Sequence, residues 1–439
     1  MKDKVSKYNI EVEYENGILL YNSLTNRIFP VTTNDYAVIE TLMEHLSVFC
    51  EKYPNLYKSL KDNGFILDTD FDELSYIKLQ NKRCVLMNRD YRLTINPTLD
   101  CNLKCWYCSV AYAGAKHQKE RMSDEIIDSL NKHIDMLVKQ QRAKSITLDW
   151  FGGEPTMYFD EVIRKVSDSA MQVTATNDVF LRQQITTNAT LLNEERIKYM
   201  KEAHFGFFQV AIDGNERKQN SVKRYADKSG TYRDVINNLN MIADIIPDAL
   251  ICLRINYDRQ TLKNIKEIIA DFSERAKERI TVDFQRIWQI TCTDEMRRLM
   301  EKAREEFQNA GFKTRYWAYK PHSFKRCYAD SYNCYVINYN GKVFKCTARD
   351  YGDDLVIGEL KSSGVISWNE GILSKLFEKA TFENEKCENC NLLPLCMGPC
   401  IQKCYEARIK NVPVRCLFEE VEMGLSTFVL GLAKQQNLI

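Results

Sequence analysis

The stretch RLTINPTLDCNLKCWYCS, residues 92–109, joins an apolar strand to three closely spaced cysteines. The cysteines are Cys101, Cys105 and Cys108, spaced CxxxCxxC. A structural zinc ion or a fully ligated iron–sulfur cluster takes four protein ligands. A group of three therefore indicates either a remote fourth ligand or a metal site with one position left open. Three thiolates can hold three irons of a four-iron, four-sulfide cube and leave the fourth iron free for a small molecule.

Composition and charge narrow the class of protein. Among 439 residues, 61 Lys and Arg nearly balance 60 Asp and Glu. The net charge therefore gives no indication of a nucleic-acid or acidic-lipid partner. The start has no apolar run, and no later stretch approaches the roughly 18 apolar residues of a membrane span. We therefore expect a cytoplasmic protein. Its 16 cysteines then favour metal ligation over disulfides, and the scattered Cys50, Cys84, Cys252 and Cys292 are predicted to be small buried hydrophobes.

Residues 1–88 are predicted to form a small winged-helix-like α+β domain. The alternation in YNIEVEYENGILLYNSLTNRIFPVT, residues 8–32, predicts a meander of three strands. Thr33 or Asn34 is expected to cap a helix over DYAVIETLMEHLSVF, residues 35–49, and a second helix is expected within residues 53–67.

Residues 89–310 alternate apolar strands with amphipathic helices, which predicts parallel pairing through βαβ crossovers. The fold class is therefore α/β, a partial (β/α)6 TIM-like barrel with its chemistry at the carboxyl ends of the strands. Residues 311–439 form an irregular, cysteine-rich third domain with one hairpin, CYVINYNGKVFKC. Metal crosslinks are expected to replace an apolar core there.

CxxxCxxC with an aromatic residue, Tyr107, before the last cysteine resembles the signature of the radical S-adenosylmethionine (radical SAM) superfamily. The resemblance implies a [4Fe-4S] cluster whose open iron chelates S-adenosylmethionine and passes an electron into its sulfonium, which releases a 5′-deoxyadenosyl radical. It also implies an electron donor such as a flavodoxin or ferredoxin.

Three further stretches resemble strand ends of the same superfamily. FGGEP, residues 151–155, matches its glycine-rich motif, which implies that Gly152, Gly153 and Glu154 meet the methionine amino group. TTNATLL and VAIDGNERKQNSVKRY resemble the fourth and fifth strand ends. Ordinary strand-end turns and helix caps explain them equally well. The implied contacts with ribose or substrate come from Thr187, Asn188 and Asp213.

The C-terminal cysteines resemble the SPASM domain, an extension of radical SAM enzymes that holds two auxiliary [4Fe-4S] clusters. The resemblance implies a nearer cluster on Cys327, Cys334, Cys346 and Cys400. It implies a farther cluster on Cys387, Cys390, Cys396 and Cys416. Two departures leave alternatives open: Cys334 is an extra candidate, so the nearer cluster is either fully ligated or keeps an open iron, and Cys404 competes with Cys416. Two zinc sites of four thiolates each are the structural alternative.

The first domain resembles the small winged-helix domain that binds leader peptides in ribosomal peptide biosynthesis. That resemblance implies strand addition of the leader to the edge of the third strand; a domain that only caps the barrel is the alternative. The sequence therefore predicts a peptide maturase that installs a crosslink in a precursor peptide after hydrogen abstraction. The alternatives are a sulfatase-maturase-like enzyme oxidising Ser or Cys of a protein, and a non-catalytic partner of another maturase. No catalytic base stands out from the sequence.

Overall fold

The computed structural model describes residues 3–108, 110, 120–315, 319–348, 351–419 and 424–439. They form two compact units. The first unit comprises Met1–Asn88, Tyr316–Ser331 and Leu376–Ile439, and the second comprises Arg89–Arg315 and Tyr332–Lys375. The predicted cysteine-rich segment 311–439 thus contributes to both units, and the three-domain division stays a prediction.

The first unit contains the predicted meander, three antiparallel strands that pair in chain order over residues 9–32. Thr32, and not the predicted Thr33 or Asn34, caps the first helix, because its side chain accepts from the Asp35 amide at 3.2 Å. The predicted helix over residues 35–49 is broken at His45, whose φ of −128° is not helical. The elements are β1 (Asp3–Val5), β2 (Asn9–Tyr14), β3 (Gly17–Asn22), β4 (Arg27–Thr32), α1 (Thr33–Glu44), α2 (Leu46–Lys52), α3 (Pro54–Asp62), β5 (Ile66–Asp68) and α4 (Glu73–Leu86).

The second unit is built on a sheet in which all six predicted barrel strands lie side by side and parallel, in chain order. A short seventh strand pairs parallel with the last of them. The strands are β6 (Asp90–Ile95), β7 (Ser145–Trp150), β8 (Phe180–Thr187), β9 (Phe205–Ile212), β10 (Leu250–Tyr257), β11 (Ile280–Arg286) and β12 (Lys313–Thr314). Because these strands are parallel, their carboxyl ends share one edge of the sheet.

Helices connect the strands, and most begin at a residue whose side chain accepts from the first turn. Such caps supply hydrogen bonds that the first turn lacks. The capping residues are Ser123, Asn193, Asn215, Asp258, Ser273 and Thr293. The helices are α5 (Asp124–Lys139), α6 (Lys165–Thr176), α7 (Glu194–Glu202), α8 (Glu216–Val222), α9 (Tyr232–Ile245), α10 (Arg259–Asn264), α11 (Glu274–Arg279) and α12 (Asp294–Asn309).

The hairpin predicted for the cysteine-rich segment extends this same sheet. Its first strand, β13 (Cys334–Ile337), pairs parallel with β6. It is followed by the antiparallel strands β14 (Lys342–Phe344), β15 (Gly358–Leu360) and β16 (Ile366–Trp368). Val336, Ile337 and Val343 are fully buried, which explains why this hairpin docks against β6.

The C-terminal helices complete the first unit. They are α13 (Glu370–Phe377), which begins in the second unit, and α14 (Glu385–Glu388), α15 (Leu393–Cys396), α16 (Ile401–Lys410) and α17 (Leu425–Gln435). Leu395 and Phe428 share a buried apolar cluster with Val12, Leu19 and Tyr21 of the meander. The other face of the meander packs on α1–α3. The N-terminal meander and the C-terminal segment therefore form one core. None of the described helices combines the length and apolar character needed to cross a membrane.

Candidate functional site

The loop that carries the cysteine triplet follows β6 and is held by the glycine-rich motif that follows β7. The Gly153 amide donates to the Thr98 carbonyl at 3.0 Å, and the Glu154 amide donates to the Asp100 carbonyl at 2.8 Å. A Cβ atom on Gly153 would lie 1.9 Å from the Asp100 oxygen, and Gly152 has a φ of +119°. Only glycines permit so close an approach of two backbones.

Glu154 links the ends of two neighbouring strands. Its carboxylate is 1 % exposed and accepts from the Thr156 hydroxyl at 2.5 Å, the Thr187 hydroxyl at 2.7 Å and the Asn188 amide at 2.7 Å. Burial raises the pKa of Glu154, while these hydrogen bonds act in the opposite direction. The structure thus brings the predicted residues Glu154, Thr187 and Asn188 together at the carboxyl ends of β7 and β8.

Asn188 connects this group to the triplet. Its side-chain amide donates to Asn102 Oδ1 at 2.9 Å and lies 3.8 Å from Cys101 Sγ. Asn102 in turn donates to the Thr190 hydroxyl at 2.9 Å. Sequence reasoning missed Asn102 and Thr190, although both lie inside motifs that it quoted.

A second buried network surrounds Tyr107. Its hydroxyl donates to Asp213 Oδ1 and accepts from Asn256 Nδ2 at 3.1 Å. Asp213 follows β9, and its Oδ2 lies 3.2 Å from Lys223 Nζ. Asn256 was not predicted, because no local pattern pairs it with Tyr107, 149 positions earlier in the chain. Lys223 lies in the stretch quoted for Asp213, but nothing in that stretch indicates that this lysine is buried.

The three thiols of the triplet lie within electrostatic range of one another. Burial raises the pKa of Cys105 to about 11 and also raises that of Cys101. A metal reverses this balance, because thiols lose their protons when they become ligands. Three thiols are the donor set that a cluster with one open iron requires. Their side chains do not converge on one metal position in this structure, where no group of three or more His, Cys, Asp or Glu among the described residues could hold a metal ion. The triplet ligands therefore stay a prediction.

The cysteines predicted for the farther cluster all lie in the first unit. Cys387 is on α14, Cys396 ends α15, and electrostatic interactions join both to Cys416. Cys390 follows directly, with its amide bonded to the Cys387 carbonyl at 3.1 Å. Cys404 is buried in α16, one turn after Cys400.

The cysteines predicted for the nearer cluster are divided between the units. Cys327 and Cys400 lie in the first unit, and Cys334 and Cys346 lie in the second. Both auxiliary ligand sets stay predictions. Among the scattered cysteines, burial is confirmed for Cys252 and is wrong for the other three, which are partly exposed: Cys50, Cys84 and Cys292.

Comparison with known proteins places this site in a family. Residues 95–272 match the radical SAM superfamily. The chain is 23 % identical over 333 residues to a cysteine-type anaerobic sulfatase-maturating enzyme of Clostridium novyi, covering 69 % of this chain and 85 % of that protein. It is 24 % identical over 324 residues to the PqqA peptide cyclase of Bradyrhizobium diazoefficiens, covering 68 % and 78 %. The protein carries a radical SAM domain and is a radical SAM enzyme.

Solved structures show the same fold. The structure of anSMEcpe with bound AdoMet and Cp18Cys peptide superposes with a TM-score of 0.52 at 19 % identity, covering 71 % of this chain and 89 % of that chain. Streptococcus suis SuiB bound to its precursor peptide SuiA superposes with a TM-score of 0.50 at 18 % identity, covering 92 % and 96 %. The likeness confirms the radical SAM α/β fold for this chain.

Proposed function

We propose that this enzyme is a peptide maturase that binds the leader of a ribosomally made precursor and installs a crosslink in its core segment. The observation that carries the proposal is that one chain combines two features. The triplet is held against the glycine-rich motif, and the N-terminal meander has outer strands, β2 and β4, that each pair with only one strand among the described residues. Leader binding would tether the precursor and raise the effective concentration of its core at the barrel.

Within the barrel, Cys101, Cys105 and Cys108 would hold a [4Fe-4S] cluster. With S-adenosylmethionine bound, the cluster supplies a 5′-deoxyadenosyl radical that removes a hydrogen atom from the substrate. The amides of Gly153 and Glu154 are already used by the triplet loop, so this motif offers acceptor oxygens to the methionine ammonium group. Thr187 and Asn188 hold Glu154 in place at the same edge.

The leader would add to the open edge of β4. The meander order β2-β3-β4 leaves β4 with one strand neighbour among the described residues. Phe29 and Ile18 are only partly buried beside the apolar cluster of α1–α3, as is Leu56 on α3. Pro30 lacks an amide, which is typical of an edge strand and removes one donor there. A leader held by β4 would therefore depend strongly on apolar side chains that bury Phe29 and its neighbours.

The auxiliary cysteines would hold two further [4Fe-4S] clusters, which would supply an electron acceptor for the crosslinking reaction. An electron donor such as a flavodoxin or ferredoxin would reduce the triplet cluster. We place the enzyme in the cytoplasm, where reduced thiols remain available for iron.

Iron content and S-adenosylmethionine cleavage test the catalytic half of the proposal. Protein reconstituted without oxygen should hold about twelve irons per chain, the sum for three four-iron clusters, and should form deoxyadenosine. The variant with Cys101, Cys105 and Cys108 all replaced by Ala should keep about eight irons and form none. Deoxyadenosine production by that variant, or two zinc ions and little sulfide in the wild type, would contradict the proposal.

A sulfatase-maturase-like activity is the second candidate, favoured by the match to 85 % of the Clostridium novyi enzyme. Binding of a precursor encoded beside this gene, compared with a sulfatase peptide containing the target Ser or Cys, separates the two. Phe29→Glu on β4 should weaken precursor binding at least tenfold and leave deoxyadenosine formation intact. The matched control is Val38→Glu, an exposed position on α1. Deletion of residues 1–88 is a poorer test, since it would expose the core shared with α17.

A further inference from the structure

An almost fully buried ion pair lies beside the triplet loop. Asp213 is fully buried and the Lys223 side chain is 5 % exposed, with 3.2 Å between Asp213 Oδ2 and Lys223 Nζ. The contact is ionic and not an aligned hydrogen bond. Removing two charges from water is expensive, and such a pair is tolerated only when further hydrogen bonds satisfy its members.

Hydrogen bonds to the Asp213 backbone and from the Lys223 ammonium group hold both residues in place. The Asp213 amide donates to Gln219 Oε1 at 2.8 Å, and the Asp213 carbonyl accepts from the Thr261 hydroxyl at 2.8 Å. Lys223 Nζ donates to the Ala211 carbonyl at 2.6 Å. The pair is therefore anchored to the end of β9 and to helices α8 and α10.

The remaining carboxylate oxygen of Asp213 is used by Tyr107. The Tyr107 hydroxyl donates to Asp213 Oδ1 and accepts from Asn256 Nδ2 at 3.1 Å. Hydrogen bonds to a charged acceptor are stronger than neutral ones. Tyr107 lies between Cys105 and Cys108 in the chain, so whatever fixes Tyr107 also fixes the backbone that presents these two thiols. The other carboxylate oxygen, Oδ2, faces Lys223, and the Asp213 side chain is fully buried, so neither oxygen is exposed for a contact with ribose or substrate.

We propose that Asp213 and Lys223 are positioning residues: the carboxylate, neutralised by Lys223, holds Tyr107 and thereby sets the orientation of the Cys105 and Cys108 ligands. This inference rests on the proposed function in that it assumes a cluster on the triplet. It assigns Asp213 a role different from the contact with ribose or substrate expected from sequence.

The pair also predicts how the cluster's reduction potential responds to substitution. Nearby positive charge favours the reduced cluster and nearby negative charge disfavours it. Asp213→Asn leaves Lys223 uncompensated and should raise the potential. Lys223→Met leaves the Asp213 charge uncompensated and should lower it. The double variant restores neutrality, so its potential should return towards the wild-type value although Tyr107 is held less firmly.

The experiment uses full-length protein reconstituted without oxygen. We would measure iron content, the midpoint potential of the triplet cluster by EPR-monitored titration, and the EPR line shape with and without S-adenosylmethionine. A broadened EPR line shape is expected for Asp213→Asn, for Tyr107→Phe and for the double variant Asp213→Asn with Lys223→Met. Each of them weakens the hydrogen bond that holds Tyr107 in the triplet loop. Lys61→Met with Asp3→Asn is the matched control, because this pair is also partly buried but lies in the first unit. It should change neither potential nor line shape.

The outcomes separate this inference from the proposed function. Unchanged potentials and line shapes in Asp213→Asn and Tyr107→Phe at full iron content would overturn the positioning role and leave the maturase proposal intact. Opposite potential shifts in a protein that modifies no peptide would support the positioning role and contradict the maturase proposal. A merely structural role would lower iron content in all variants without opposite shifts, and it would also overturn the inference.

Discussion

Two cysteine-bearing loops of this protein are held in different ways. The triplet loop, residues 101–108, is fixed by directional polar contacts of Asn102 with Asn188 and of Tyr107 with Asp213. Directly before the loop, the Asp100 carbonyl accepts from the Glu154 amide. The farther loop, residues 387–396, is fixed mainly by apolar packing, since Leu393 and Leu395 are buried against the meander. Hydrogen bonds define an orientation, whereas apolar burial defines a position with some tolerance of angle. The stricter anchoring is found where the proposed radical chemistry takes place.

The farther loop also shares its apolar core with the proposed leader-binding module. Ser23 Oγ donates to the Asn391 carbonyl at 2.6 Å, and Lys78 on α4 pairs with Glu388 at 2.7 Å. Tyr8 packs in the same cluster as Cys387. Loss of this loop should therefore disturb peptide recognition before it disturbs the barrel.

The largest effect is expected where backbone meets backbone at the triplet loop. Gly153→Ala would place a Cβ atom 1.9 Å from the Asp100 oxygen, so the loop must move. We expect destabilisation of about 3 kcal/mol or more and a loss of deoxyadenosine formation of at least 100-fold. Gly206→Ala is the control, since a Cβ atom on this β9 glycine meets nothing within 4 Å. Equal behaviour of the two variants would show that the triplet loop is not rigidly anchored and tolerates displacement.

A core truncation within the farther loop should have a smaller effect, and it should act on precursor binding and not on the triplet cluster. Leu395 is fully buried in the cluster shared with the meander. Leu395→Ala should lower the free energy of unfolding by about 3 kcal/mol and weaken precursor binding, but leave the EPR signal of the triplet cluster unchanged. Leu79→Ala, at an exposed position on α4, should change stability by less than about 0.5 kcal/mol. A change in the triplet signal of Leu395→Ala would contradict the separation of the two loops.

The smallest expected effect is a pH dependence of the free energy of unfolding, caused by a histidine in the second unit. His133 on α5 is buried, with Nδ1 2.7 Å from the Gly364 carbonyl and Nε2 2.7 Å from the Tyr335 hydroxyl. The carbonyl can only accept, so Nδ1 carries the proton and Nε2 accepts from Tyr335. Burial lowers the pKa of His133 to about 4.

Because the folded pKa lies below that of the unfolded chain, the stabilisation is complete above about pH 6.5 and is lost as the pH falls towards 4. We expect a loss of about 2 kcal/mol between pH 7 and pH 5, measured by urea unfolding. His133→Gln should remove that part of the slope. An identical pH dependence in the wild type and the variant would show that protonation of His133 does not affect the stability of the protein.

The sequence by itself determined the elements whose signals are local. The triplet, the glycine-rich motif, the three-stranded meander and the six parallel strands follow from spacing and from apolar periodicity within short windows. The resemblance to the radical SAM superfamily depended on the same windows, and the family match over residues 95–272 confirmed it.

Only the tertiary structure decided which distant segments meet. It joined the cysteine-rich hairpin to β6, placed α17 on the meander, and set Lys223 and Asn256 around Tyr107. These contacts depend on strand order and on which apolar faces find each other, and neither is encoded in a local period. A lysine directly after a polar helix therefore looks like a solvated charge until the fold buries it against Asp213.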